Sequence, residues 1–253
     1  MAQAPPAGAG GRGSGGRGAV SVWAVVPAYN EEERVGLTVE ALYRSVGCRR
    51  VIVVDDGSTD GTAERASRAG ATVLRQGRNR GKGQALRRGI EEVVAGEDRA
   101  LEAVLLADAD LGPSAGGLGP LVEAVRGGAD LAVASFSPAG GFGIAKRLAA
   151  GGIRALTGRA LESPLSGQRA LSPRALSLAA GLPRGWGVEV AMTVRALAEG
   201  LTVVEVPLAL EHRRTGRDLA GFVHRGKQCG AVAATLLGLA LERLLPRRAG
   251  WAR

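Results

Sequence analysis

Residues 51–60 read Val51-Ile52-Val53-Val54-Asp55-Asp56-Gly57-Ser58-Thr59-Asp60. Four β-branched residues in a row are the signature of a short strand buried on both faces. The run ends abruptly in two carboxylates and a glycine, and Ser58 or Asp60 can cap a helix over 62–69. A buried strand that breaks into a polar turn and then a helix is half of a βαβ unit.

The same grammar repeats on either side. Upstream, the run Val22–Val26 stops at Pro27 and is followed by Ala28-Tyr29-Asn30-Glu31-Glu32. Asn30 can cap the next helix, and the glutamates suit its first turn. Val35, Val39, Leu42 and Val46 then recur at helical spacing. Downstream come a strand over 72–74, the basic loop Arg78-Asn79-Arg80-Gly81-Lys82-Gly83-Gln84, and a helix over 83–94. A fourth strand over 103–107 runs into Asp108-Ala109-Asp110. Beyond it the pattern predicts a strand over 131–135, a helix near 146–156, a loop, a helix over 188–199 and a strand over 202–206. A polar basic stretch (211–230) and an Ala/Leu-rich helix (231–245) follow. The predicted fold is therefore α/β, a mostly parallel, Rossmann-like sheet flanked by helices on both faces. In such sheets ligands bind beyond the carboxyl ends of the strands, and there the polar motifs fall.

The chain has 253 residues, enough for one sizeable core. Residues 1–19 are rich in Gly, Ala and Pro and read as a disordered tail without the apolar core of a secretory signal. Residues 20–228 read as one domain, and 229–253 as a C-terminal helix and basic tail. No apolar run approaches the ~20 residues of a membrane helix. Two cysteines, Cys48 and Cys229, form no CxxC, so a disulfide scaffold or zinc ribbon is not indicated and a cytoplasmic setting is expected. The formal charge is +9. Nine Lys/Arg against three Asp/Glu lie from Glu211 onward, so +6 of it sits at the C-terminal end. That skew favours an anionic partner: a phosphorylated acceptor, an acidic membrane surface or nucleic acid.

Each motif has a chemical use. If the chain stays extended, Asp108 and Asp110 point the same way and can hold a hard divalent cation, whose other positions go to phosphate oxygens and water. Such a cation neutralises a leaving diphosphate. Asp55 or Asp56 can accept from a base or a ribose hydroxyl, and Tyr29 offers a ring to stack on a base. Arg80 and Lys82, among glycines at a helix N-terminus, suit an anion. His212, beside Arg213, suits a metal or a phosphate. Each also has a plain structural use as a cap, a turn or a solvated loop.

Taken in order, P-A-Y-N-E-E, V-V-D-D-G-S-T-D, N-R-G-K-G and D-A-D resemble the signature of family 2 glycosyltransferases over residues 22 to about 135. That resemblance implies a GT-A fold and transfer of a sugar from a nucleoside-diphosphate sugar with Mg²⁺ or Mn²⁺. It implies that Pro27, Tyr29, Glu31, Asp55, Asp56, Lys82 and Asp108 hold the nucleotide-sugar, and that Asp110, with Asp108 beside it, binds the metal.

The second half resembles glucosyl-3-phosphoglycerate synthases through Pro164-Leu165-Ser166-Gly167-Gln168-Arg169-Ala170, Gly185-Trp186-Gly187-Val188-Glu189 and Glu211-His212-Arg213. It also resembles polyprenyl-phosphate sugar transferases through S-G-x-R at 166–169. The first likeness implies His212 as a third metal ligand, Glu189 at the reacting centre, and Arg154, Thr157, Arg159 and Arg213 toward the acceptor. The sequence departs from both: Glu162-Ser163-Pro164 stand where the polyprenyl enzymes carry an Asp, and 152–159 match the phosphoglycerate acceptor motif loosely. The expectation is a glycosyltransferase acting on a phosphorylated acceptor, a small 3-phosphoglycerate-like molecule first. The alternatives are a polyprenyl phosphate reached through peripheral membrane contact at 231–248, and a non-enzymatic nucleic-acid binder. The last is disfavoured by an aromatic content of 3%. A core-packing or homodimer helix is the plain reading of the C-terminal segment.

Overall fold

The structure, a computed structural model, describes residues 21–136, 143–179, 187–208 and 219–244, with side chains of the last helix described from 229 to 242. The tail 1–19, Trp186, His212, Arg213 and the basic end 245–253 lie outside the described residues.

Seven strands form one sheet: β1 (Ser21–Ala28), β2 (Arg50–Asp55), β3 (Thr72–Arg75), β4 (Leu101–Leu106), β5 (Leu131–Ser135), β6 (Arg169–Leu171) and β7 (Val203–Pro207). Their order is β3-β2-β1-β4-β6-β5-β7, and β6 runs antiparallel to both neighbours while every other pair is parallel. The helices are α1 (Val35–Ala41), α2 (Thr62–Arg68), α3 (Lys82–Ala95), α4 (Gly119–Arg126), α5 (Ile144–Thr157), α6 (Pro173–Ala179), α7 (Val188–Ala198) and α8 (Leu219–Leu244).

The continuous apolar strands bury alternate residues on opposite faces. Val25, Ile52, Val54, Val104 and Leu106 pack with α3, α5, α6, α7 and α8; Ala24, Val26, Val51, Val53 and Leu105 pack with α1, α2 and α4. The result is a three-layer α/β/α domain in which the strand ends of β1, β2, β3 and β4 share one edge.

Three expectations need correcting. Pro27 lies inside β1, paired with Val54, rather than ending the strand; it sits beyond the last β1–β4 pair, Val25 with Leu106, so one side of the ladder has already ended there. The loop expected between the helices at 146–156 and 188–199 contains β6 and α6. The helix expected over 231–245 starts earlier: α8 begins at Leu219, inside the basic stretch, so the boundary drawn at 228 falls within a helix.

α8 is seated by two glycines. A Cβ on Gly152 would lie 2.3 Å from Leu236 Cδ1, and one on Gly187 1.9 Å from Thr235 Oγ1. Only backbone at these positions lets α5 and the start of α7 approach α8 this closely.

Candidate active site

The site is built at the carboxyl edge of the sheet. The β1 and β2 turns lock together first. Asn30 adopts φ 54°, its amide donates to Ser58 Oγ, and its Oδ1 accepts from Thr59 N at 2.9 Å. Glu31 N donates to Thr62 Oγ1, and Glu32 Oε2 accepts from Gly61 N. Asn30 therefore pins the second turn and does not cap α1, which starts only at Val35 with Arg34 in the capping position. Asp60, through Thr62, does act at the start of α2.

Asp55 and Asp56 are buried. Asp55 Oδ1 accepts from Ser58 N at 3.0 Å. Asp56 takes Arg80 N on Oδ1 at 2.8 Å and Gly81 N on Oδ2 at 2.7 Å. Asp56 is thus the anchor of the basic loop, and each of its oxygens keeps a further lone pair for a ligand. Gly57 makes the approach feasible: φ is +76°, and a Cβ there would meet the Arg78 backbone at 2.5 Å. Tyr29 stands exposed at this rim.

The anchored loop feeds α3, whose first residue is Lys82. Lys82 Nζ lies 2.6 Å from Asp108 Oδ1 and 3.4 Å from Glu189 Oε1. Burial acts to lower the lysine pKa, but the two carboxylates outweigh it and the net direction is upward, so the ammonium stays charged. Asp108 Oδ2 accepts from Gln168 Nε2 at 2.7 Å. Gln168 arrives here through the antiparallel register Leu106–Arg169, which carries the residues before β6 to the strand end of β4. Gly167 closes the contact: a Cβ on it would lie 2.4 Å from Lys82 Nζ and 3.1 Å from both Asp108 oxygens.

Asp108 keeps extended backbone, but at Ala109 the chain turns into a 3₁₀ segment, Ala109–Leu118, so the alternation expected of an extended D-A-D does not hold. Thr38 on α1 fixes that turn, donating to Ala109 O at 2.8 Å and accepting from Gly112 N at 2.8 Å. Arg34 donates to Asp110 O. Both aspartates are half-buried around a buried Ala109.

The donor set fits a hard cation that takes most of its ligands from a diphosphate and water. Both Asp108 oxygens already carry a partner, so Asp108 suits an indirect role, which leaves the neighbouring Asp110 as the candidate donor. Among the described residues no group of three or more His, Cys, Asp or Glu side chains is assembled, and His212 lies outside them.

Behind this cluster Arg169 is completely buried. Its Nε donates to Ser166 O at 2.8 Å, one terminal nitrogen to Pro164 O at 3.0 Å and the other to Thr193 Oγ1 at 2.9 Å. Burial pulls its guanidinium down to about 10, with Glu189 and Glu205 opposing that. Glu205 on β7 accepts from Glu162 N and Ser163 N, both at 2.7 Å.

Of the residues expected to bind acceptor, Arg154 and Arg159 are exposed, and Thr157 donates to Ile153 O within α5. Among the described residues no hydrogen bond or ion pair joins these three to the Lys82 cluster. Gln168 and Thr38 were not singled out from the sequence, nor was Arg169 given a role; the S-G-x-R motif was the available signal for two of them.

Comparison with known proteins agrees with this architecture. The sequence profile described as Glycosyl transferase family 2 matches residues 23–158. The chain belongs to glycosyltransferase family 2. It is 33% identical over 213 residues to the undecaprenyl-phosphate mannosyltransferase of Micrococcus luteus, covering 78% of this chain and 86% of the relative. It is 29% identical over 209 residues to the polyprenol monophosphomannose synthase of Mycolicibacterium smegmatis, covering 76% and 78% respectively. Among solved structures it is similar to the glucosyl-3-phosphoglycerate synthase of Mycobacterium tuberculosis in complex with Mn²⁺, uridine diphosphate and phosphoglyceric acid. That match has a TM-score of 0.68 and 28% identity over 87% of this chain and 78% of the other. The fold is GT-A-like, as expected from the motifs.

Proposed function

We propose that this glycosyltransferase moves a sugar from a nucleoside-diphosphate sugar to a phosphomonoester acceptor in a metal-dependent reaction, and that the acceptor is a polyprenyl phosphate at a bilayer surface. The observation that carries the donor side is the ammonium of Lys82 set between Asp108 and Glu189 at the mouth of the sheet.

Tyr29, Asp55 and Asp56 line the nucleoside end, with Pro27 and Glu31 holding the turn that presents them. Lys82 faces the diphosphate and offsets the charge that develops as the sugar leaves. Asp110 would hold Mg²⁺ or Mn²⁺, with Asp108 behind it and His212 as a further candidate ligand. The bound cation supplies Lewis-acid neutralisation of the leaving diphosphate. Glu189 stands beside Lys82, where a carboxylate stabilises positive charge on the sugar ring. The phosphate of the acceptor is already an anionic nucleophile, so no general base is required in place of the Asp that Glu162-Ser163-Pro164 lack.

The sequence alone placed a small acceptor first. The outer surface shifts the weight to a lipid. Four of the seven exposed large hydrophobic residues among the described residues lie on α5 and α8: Ile144, Leu148, Leu237 and Leu241. They form an i, i+4 pair on each of two helices that pack together. Lys146, Arg147, Arg154 and Arg159 accompany the α5 pair, with no acidic residue from 143 to 161. Exposed apolar pairs on two packed helices, the α5 pair accompanied by cations, suit an anionic bilayer. No described helix is long and apolar enough to cross a membrane, which makes the proposed contact peripheral. The 3-phosphoglycerate reading stands second, favoured by the solved structures.

The test is a transfer assay with UDP- and GDP-sugars, Mn²⁺, and either a short-chain polyprenyl phosphate or 3-phosphoglycerate, read by mass spectrometry. Product with the polyprenyl phosphate, absent with Asp110→Ala, is expected. Product with 3-phosphoglycerate alone would transfer the assignment to the small acceptor.

A further inference from the structure

Among the described residues Arg169 is the largest of the completely buried side chains, and it carries a charge. A buried guanidinium is costly unless its donors are satisfied. Here they are met by three neutral acceptors, and the acceptors come from two different places. Ser166 O and Pro164 O belong to the loop leading into β6; Thr193 Oγ1 belongs to α7. Thr193 in turn donates to Glu189 O at 3.0 Å, one helical turn back.

Each end of this bridge leads to the reacting groups. The gripped loop continues through Gly167, which abuts Lys82 and Asp108, to Gln168, which holds Asp108 Oδ2. The first turn of α7 carries Glu189, whose carboxylate reaches Lys82 from the other side. Glu205 grips the same loop by its amides at 162 and 163 while Arg169 grips it by its carbonyls. The loop is fixed from both ends of its peptide dipoles.

We propose that Arg169 is a positioning residue for sugar transfer: it fixes the separation between the Gln168–Asp108 side of the site and Glu189, and so sets where the acceptor meets the anomeric carbon. It touches neither donor nor acceptor. The nucleoside pocket, built on the β1 and β2 turns and the Asp56-anchored loop, does not depend on it. The inference rests on the transferase reading above and specifies which chain geometry that reaction needs.

Lysine cannot replace the arginine, because one ammonium does not span three acceptors arranged around a planar fork. The experiment compares Arg169→Lys, Arg169→Met and Thr193→Val with the wild type. It measures UDP and GDP affinity in the presence of Mn²⁺ by calorimetry, and kcat and donor KM with whichever acceptor the wild type glycosylates. The expected result is nucleotide affinity and donor KM that change less than kcat in every variant, by about threefold or less for Thr193→Val and about tenfold or less for the arginine variants, whose loop also abuts Lys82 and Asp108. kcat falls about 100-fold for both arginine variants and about fivefold for Thr193→Val, an alignment loss. Lysine gives no rescue. Unchanged kcat, or kcat and nucleotide affinity falling together, would overturn the proposal. If the arginine variants do not fold, the near-isosteric Thr193→Val carries the same split, and its absence overturns the proposal equally. A wild type that binds neither nucleotide would instead refute the transferase reading.

Discussion

At the scale of single residues, the site depends on glycines as much as on charges. Gly57 sits at φ +76° against the Arg78 backbone. Gly57→Ala adds a left-handed strain of about 1–2 kcal/mol and a clash with main chain that cannot rotate away. Thermal unfolding should show a loss of at least that size, together with weakened nucleotide binding. Gly167→Ala is different. Its new methyl meets Lys82 Nζ at 2.4 Å, the far end of a flexible chain, so stability should stay within about 1 kcal/mol while the ammonium is driven from Asp108. Nucleotide affinity measured by calorimetry should drop about tenfold; an unchanged affinity would separate Lys82 from the diphosphate. The carboxylates were legible from their place after apolar strands. Their division of labour was not: both Asp108 oxygens are taken by partners from α3 and from the loop before β6, which no local pattern announces. Asn30 was misread as a cap because a left-handed asparagine and a capping asparagine look alike in sequence.

Cys48 gives a residue-scale prediction of the opposite kind, one with no functional content. Burial pushes its thiol up from an ordinary 9.0 to about 12. A raised folded-state value means the folded state keeps the proton longer. The stabilising contribution is therefore complete below about pH 9 and is lost as pH rises toward 12. Urea unfolding of wild type and Cys48→Ala between pH 8 and 10 should diverge with a slope of at most about 1.4 kcal/mol per pH unit. Parallel curves for the two proteins from pH 8 to 10 would contradict the buried placement of Cys48.

At the scale of elements, α5 and α8 do two things. They pack together where Gly152 of α5 meets Leu236 of α8, while Ile144, Leu148, Leu237 and Leu241 are exposed on them. Replacing Leu237 and Leu241 together by glutamate should leave the melting temperature nearly unchanged, since both are exposed. Sedimentation with anionic vesicles should show binding lost by the variant and retained by wild type. Equal binding by both would remove α8 from any membrane contact. The long alternating elements were readable because β-branched runs and helical spacing repeat over several residues. β6 escaped because it is three residues long and begins with a buried arginine, a pattern that resembles a loop. α6, seven residues long, escaped with it. The antiparallel entry of β6, which delivers Gln168 to the site, is set by long-range pairing with β4 and β5 and has no local signature.

At the scale of the whole molecule, a three-layer domain gathers four parallel strand ends and one antiparallel strand start along one edge. Among the described residues, Lys82 and Glu189 stand at the starts of α3 and α7, and Asp56 and Asp108 follow directly on the ends of β2 and β4. Family membership was visible in the ordered motifs of the first half. The acceptor depends on the second half, where the motifs point to two kinds of phosphorylated molecule. The central claim is that a divalent cation and the Asp110–Lys82 edge together receive a nucleoside diphosphate. Calorimetric titration of UDP and GDP into wild type and Asp110→Asn, with Mn²⁺ or with EDTA, tests it most directly. The account predicts binding of one nucleotide to wild type with Mn²⁺, at least tenfold weaker with EDTA, and little difference between Mn²⁺ and EDTA for Asp110→Asn. Equal binding by wild type in Mn²⁺ and EDTA, or no binding of either nucleotide, would contradict it.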